Sequence, residues 1–397
     1  MVVLVCGMAM VARAAEPVPV KKLPDTGTIP ILAWRGLPAT EVTVERFQEM
    51  VAAGFTHSYS AYPNNDAMAT SMDAAQAAGL KLMIATPELE HEPEATVRRF
   101  KDHPALGGYF LKDEPKAKLF PYLGAWVRRI QAIDAQHPCY VNLLPDYASS
   151  VKYLGCDTYE EYVERFVAQV PTPMISFDHY PVTSNGLRPS WYHNLELIAA
   201  AAKKANRPFW AFALSVPHQN LSDIYPPPTL GHIRLQVFSD LAYGAQVIQY
   251  FTYWHPNGGA PINAKGQRTP MYAIVKQANA EIKALSPVFV GATVESIGHT
   301  GEKVPQGTRR YEPAGPVRKL QTMGVGAVVS HLRNGDHRYL VVVNRDYANP
   351  TKVTIELDPA TPVARVIPLV GSQSIPSPIQ AIELSPGNML VLTWPAK

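Results

Sequence analysis

The chain has 397 residues, 47% hydrophobic and 17% charged, which is room for one large domain and a smaller one. Its net charge of +3 is too small and too scattered for a nucleic-acid surface or an anionic-membrane surface. Pairs such as Lys21–Lys22 and Lys203–Lys204 read as solvated surface.

The first fifteen residues, MVVLVCGMAMVARAA, are an apolar run followed by Ala12-Arg13-Ala14, an A-x-A cleavage signal. The run is too short to span a bilayer. It reads as a secretory signal peptide over residues 1–15, which implies a periplasmic or secreted protein, although no basic residue precedes it. Cys6 argues weakly for a lipoprotein, because Val5 stands where a small residue is required. No later segment has the length of a membrane span. Cys139 and Cys156 remain after cleavage and read either as a disulfide or as two buried thiols. No Cys/His spacing resembles a zinc site.

From about residue 30 to 285, strand-like and helix-like patterns alternate. Eight short apolar runs read as buried parallel strands: 29–36, 55–62, 80–88, 106–115, 139–146, 173–181, 208–216 and 246–254. Amphipathic helices separate them, and those over 44–54 and 66–79 end on glycines suited to a C-cap. Eight such units predict an α/β fold, a (β/α)8 TIM barrel over residues 28–286. An open doubly wound sheet is the alternative, but no glycine-rich phosphate loop follows the first strand. After Pro287 the segments 338–346, 352–358, 364–370 and 388–395 alternate without helices between them. They predict a C-terminal antiparallel β-sandwich over residues 287–397.

A barrel places its active site at the C-terminal ends of its strands. Here those ends carry aromatic rings, carboxyls and amides, which suit a sugar's C–H faces and hydroxyls. The expected substrate-binding residues are Trp34, Tyr62, Glu88, Asp113, Asn142, His179, Tyr180, Tyr253 and Trp254. Glycosidic cleavage usually takes a proton donor and a second carboxyl. Glu114 reads as the acid/base, because it ends an apolar strand beside Asp113 and ahead of Pro115. Burial and a like charge there would raise its pKa as a general acid requires. Asp178, at the end of ISFDHYP, reads as the second carboxyl, with Glu88 in reserve.

The segment GGYFLKDEP resembles the acid/base region of clan A retaining glycosidases, in which strand 4 ends in an Asn-Glu pair. Asp113-Glu114-Pro115 matches with Asp in place of Asn. The eight-unit barrel with a trailing β-sandwich is similar to beta-galactosidases of that clan. The resemblance implies a glycoside hydrolase with Glu114 as acid/base and a nucleophilic Glu at the end of strand 7. The segment 208–220, PFWAFALSVPHQN, has no carboxylate. The strand-4 carboxyls with Asp178-x-Tyr180 also look like chitinase-type enzymes, whose substrate supplies the nucleophile.

The activity expected is therefore O-glycosidic cleavage of an oligo- or polysaccharide, with no cofactor and no metal. Two other readings stand beside it. One is a carbohydrate-binding protein on an inactive barrel, which the bare strand 7 favours and the adjacent Asp113 and Glu114 oppose. The other is a metal-dependent hydrolase using His57, His91, His179 or His218, none of which has paired metal-ligand spacing.

Overall fold

The computed structural model describes residues 27–148, 150–220, 223–255, 258–375 and 379–396. The segment read as a signal peptide lies outside them.

Eight parallel strands close into a barrel: β1 (Ile31–Trp34), β2 (His57–Tyr59), β3 (Lys81–Ile84), β4 (Leu106–Asp113), β5 (Cys139–Leu143), β6 (Ile175–Phe177), β7 (Phe209–Leu214) and β8 (Val247–Phe251). The ring shuts where β1 pairs both with β8, Ile31 opposite Ile248, and with β2, Leu32 opposite His57. The helices are α1 (Val44–Ala52), α2 (Asn65–Ala78), α3 (Pro87–His91), α4 (Pro93–Phe100), α5 (Phe120–Gln131), α6 (Tyr159–Gln169), α7 (Trp191–Ala205), α8 (Leu230–Ala242) and α9 (Pro270–Phe289). Thr43, Asn64, Thr158, Thr229 and Thr269 accept backbone N–H groups at the starts of α1, α2, α6, α8 and α9, giving orphan donors a partner. Among the described residues, no helix is long and apolar enough to cross a membrane.

Successive strand residues point alternately inward and outward. Leu32, Trp34, Met83, Tyr140, Trp210, Phe212, Leu214 and Val247 fill the inside of the barrel. Ile31, Ala33, Tyr109, Val141, Ile175, Phe177, Ala211, Ile248 and Tyr250 pack outward under the helices. Both faces are buried, so the strands read as unbroken apolar runs.

All eight expected strands are present, but most end earlier than their apolar runs. The run 80–88 stops being strand at Ile84, and Glu88 falls in the short helix α3. The run 246–254 stops at Phe251. The residues beyond are apolar because loops and short helices bury them too, as Leu89 and Tyr253 are buried. Cys139 and Cys156 are buried free thiols.

After α9, which carries Pro287 in its last turn, the chain is all strand. A six-stranded sheet runs in the order β9 (Thr293–His299), β11 (Ala327–Asn334), β12 (His337–Asn344), β17 (Met389–Pro395), β14 (Ala364–Ile367), β15 (Gly371–Ser374). Facing it is a three-stranded sheet, β10 (Val317–Thr322), β13 (Thr351–Leu357), β16 (Ile379–Leu384). The central strands of the larger sheet, β11, β12 and β17, are buried on both sides. Val328, Leu332, Tyr339, Val341, Val343 and Val391 join the core of the barrel. Ala327, Val329, Leu340, Val342, Leu390 and Leu392 pack with the smaller sheet. At this junction Gly231 of α8 meets the Tyr347 carbonyl, and Gly387 meets the Gly231 carbonyl; a Cβ would fit at neither.

Candidate active site

Three carboxyls converge at the C-terminal mouth of the barrel. A register shift between Phe110 and Lys112 in β4 brings Asp113 opposite Asn142 of β5. The Glu114 N–H then donates to the Asn142 carbonyl at 2.9 Å, which carries the ladder one residue further. Glu114 has φ +44°, a left-handed conformation that a side chain pays for in strain. Pro115 follows it, and the Pro115 carbonyl is held by the Tyr162 hydroxyl at 2.6 Å. Asp178 lies just past β6 on the inward-facing side.

Asn142 organises the cluster. Its Nδ2 donates to Asp178 Oδ1 at 2.7 Å and to Asp113 Oδ1 at 3.3 Å. Its orientation is set by Ser176 Oγ, which donates to Asn142 Oδ1 at 2.9 Å. Gln249 Nε2 donates to Ser176 Oγ at 2.9 Å, and the Tyr140 hydroxyl donates to Gln249 Oε1 at 2.5 Å. This buried chain crosses the barrel from β8 to β4, and its bonds fix the orientation of the Asn142 amide.

Asp113 and Glu114 are exposed at the mouth, yet the wall beside them strips away water. That loss of solvent, then the charge of Asp113, pushes Glu114 up to about 7; a hydrogen bond with Asp178 acts the other way. Asp178 is buried, and burial followed by the charges of Glu114 and Asp113 holds it well above the usual carboxylate range. Glu114 and Asp178 therefore lie near enough to perturb each other, with the deeper Asp178 favouring the neutral form.

Aromatic rings extend the site. Tyr180 borders the carboxyls, whose charges raise its pKa after burial does. Its ring lies 5.8 Å from that of Phe251, which also carries Arg35 at 5.8 Å and His218 at 5.6 Å. Beside Asp178, Tyr147 is covered by the Arg188 guanidinium at 3.9 Å. Arg188 also pairs with Asp223 at 3.1 Å and donates to the Tyr225 hydroxyl at 3.0 Å.

A family model described as beta-galactosidase matches residues 143–286, the second half of the barrel. No curated protein matches. Among solved structures, an alpha-amylase from Geobacillus thermoleovorans is 10% identical, with a TM-score of 0.54 over 93% of this chain and 98% of that one. A family 39 glycoside hydrolase from Bacteroides cellulosilyticus WH2 is 10% identical, with a TM-score of 0.53 over 95% and 83%. A beta-galactosidase from Marinomonas ef1 is 13% identical, with a TM-score of 0.47; the alignment covers 65% of this chain and 60% of that one. At these identities the two structures with TM-scores above 0.5 speak for the fold alone. The second half of this TIM barrel is similar to the beta-galactosidase family model.

Of the residues singled out in the sequence, the barrel brings Asp113, Glu114, Asn142, Asp178 and Tyr180 together. The others go elsewhere. Trp34 points inward but lies below the crater, only 4% exposed, with the rings of Tyr59, Phe110, Tyr140 and Phe212 4.3–5.9 Å away. His179 follows Asp178 and so points outward; its Nδ1 meets Asn194 Oδ1 at 3.0 Å, and burial lowers its pKa to about 3. Glu88 accepts the Asn65 N–H at 3.1 Å at the start of α2. Tyr62 is buried behind Leu37, with its hydroxyl 3.4 Å from the Leu37 carbonyl. Strand alternation ends at Phe251, so Tyr253 packs outward on Phe55 at 5.3 Å, and Trp254 lies under Arg46 at 5.7 Å.

Sequence reading passed over Ser176, Gln249, Tyr147, Arg188, Tyr225 and Phe251, and considered His218 only as a metal ligand. Ser176 and Gln249 had a visible signal: each is a polar residue inside an apolar strand. Arg188, His218 and Tyr225 come from loop hairpins with no periodic pattern. Among the described residues, no group of three His, Cys, Asp or Glu could hold a metal. A cavity of about 670 Å³ opens at the other end of the barrel among Pro30, Phe209, Val247 and Thr293, and contains none of the three carboxyls.

Proposed function

We propose that the protein hydrolyses O-glycosidic bonds with Glu114 as general acid and then base, and that the substrate itself supplies the nucleophile. The observation that carries this reading is the bare end of β7, where residues 208–220 hold no carboxylate. Two-carboxylate glycosidases hold their pair roughly 5–5.5 Å apart for retention or 6.5–9.5 Å apart for inversion. Glu114 and Asp178, which perturb each other as neighbours on one wall, are read as acting together and not from opposite faces of the sugar. Asp178 is then a partner that holds and returns a proton, and it does not attack from the far face of the sugar. On the β7–β8 side, residues 208–268 contain two acids: Asp223, paired with Arg188, and Asp240, buried in α8.

In this mechanism Glu114, protonated near neutrality, gives its proton to the leaving oxygen. The carbonyl oxygen of a 2-acetamido group closes onto the anomeric carbon as the glycosidic bond breaks. Asp178 and Asn142 orient that group through hydrogen bonds. Glu114, now a carboxylate, removes a proton from the water that opens the ring.

The test compares matched aryl glycosides that carry either an acetamido or a hydroxyl group at C2. Turnover should require the acetamido group. Equal turnover of both would end the substrate-assisted step and leave the role of Glu114 to its own variant. The export read from residues 1–15 belongs to the same proposal, and N-terminal sequencing of the mature protein checks it.

A further inference from the structure

The crater has a second wall, of opposite character to the carboxyls. Arg35 follows β1 with φ +45°, so it shares the left-handed strain of Glu114. The described residues contain four such non-glycine positions, and two of them are at this mouth. The guanidinium is exposed above the Phe251 ring, and among the described residues it forms no ion pair. His218 stands over the same ring at 5.6 Å and against Tyr225 at 5.7 Å. His255 is buried next to it, and the charge of Arg35 reaches both imidazoles and Asp113.

We propose that Arg35, with His218 and His255, forms a subsite for a carboxylate on the substrate, so that the natural glycan carries a uronic-acid-type sugar beside the cleaved one. This rests on Glu114 being the acid that marks the cleavage point. The charged groups are segregated: the acids come from β4 and β6, while the unpaired cation and the imidazoles come from the ends of β1, β7 and β8. Where a two-carboxylate barrel would place an anion at strand 7, this one presents a surface that attracts one. A guanidinium held out over an aromatic ring keeps its planar fork free, and that fork matches a carboxylate's two oxygens. The strained backbone at Arg35 fits a side chain held for a ligand better than one that is merely solvated.

The test uses the full chain carrying Glu114→Gln, so that binding is read without turnover. Calorimetry compares a hyaluronan tetrasaccharide, which alternates acetamido and uronic sugars, with its carboxyl-reduced counterpart. The acidic form should bind about 10- to 100-fold more tightly, the range of one charge-assisted contact. Adding Arg35→Gln should abolish the preference and leave the neutral ligand's affinity within about twofold. Arg35→Lys, which keeps the charge and loses the fork, should retain part of it and serves if the Gln variant misfolds. Equal affinities, no binding of either ligand, or a preference that survives Arg35→Gln would overturn the subsite. A stronger preference for a sulfated chitin tetrasaccharide would overturn the carboxylate assignment. If Glu114→Gln still turns over substrate, the acid/base reading has failed, and the binding comparison remains readable.

Discussion

The two walls of the crater are built in opposite ways. On the β4–β6 side, Asp113 and Asp178 are tied through Asn142 into a hydrogen-bond chain that reaches Gln249 on the far side of the barrel and returns to Tyr140. On the β1–β8 side, Arg35 and His218 stand over Phe251 without such a network. The first wall is pre-set, with the proton positions prescribed by the bonds beneath them. The second is open-ended and waits for a partner. Reaction chemistry needs fixed donors, because reorganisation during the step costs rate. Recognition of a charged sugar does not need them before the sugar arrives.

The largest effect should come from Glu114→Gln, which keeps shape and removes the transferable proton. Its kcat/KM should fall about 10²–10⁴-fold on glycans with poor leaving groups, and much less on aryl glycosides whose leaving group needs no proton. Unchanged rates on a natural glycan would dissolve the contrast between the walls. Asn142→Leu should come next, because it strands Ser176 and leaves Asp178 without its donor. A loss of about 1–3 kcal/mol per unpaired buried group is expected in denaturant melts, together with lowered activity. The same loss of stability with activity intact would mean that the chain is scaffolding alone.

The pH profile sharpens the comparison further. Glu114 acts protonated, so kcat/KM should fall as pH rises through about 7. Asp113→Asn removes a charge that raises Glu114, so this limb should move to lower pH. Asp178→Ala removes the hydrogen bond that lowers it, so the limb should move the other way. A limb that stays in place in both variants would contradict the coupling.

The smallest effect is on stability. A carboxyl whose pKa rises on folding favours the native state below its unfolded pKa, and that benefit fades as pH climbs through about 7. Glu114→Gln should therefore raise Tm relative to the parent at pH 8 and change it little at pH 4. The reverse order would place Glu114 in ordinary solvent.

The barrel was legible because its strands are apolar on both faces and regularly spaced. The strand ends were less so. Tyr253 and Leu89 are as apolar as the strands they follow, since loops over the barrel are buried too, and only coordinates show where alternation stops. Glu114 and Asp178 could be found because a charge ending an apolar run has few structural uses. His179 misled because it is one residue from Asp178, and in a strand one residue is the opposite face. Trp34 lay on the right face but one layer too deep. Arg35 was visible as a residue at a strand end, while its strained backbone and lack of an ion pair were not.

The six-stranded sheet, apolar on both faces along its central strands, has a practical consequence for anyone trimming this protein. A barrel cut after α9 would bare the helix surfaces that Val328, Leu332, Tyr339, Val341 and Val343 now cover, and a freed sandwich would bare those five side chains in turn. Exposed strips of that kind favour self-association. The two halves should therefore express poorly apart and recombine when mixed, and domain exchange with another barrel would have to transplant the junction glycines Gly231 and Gly387 along with the sheet.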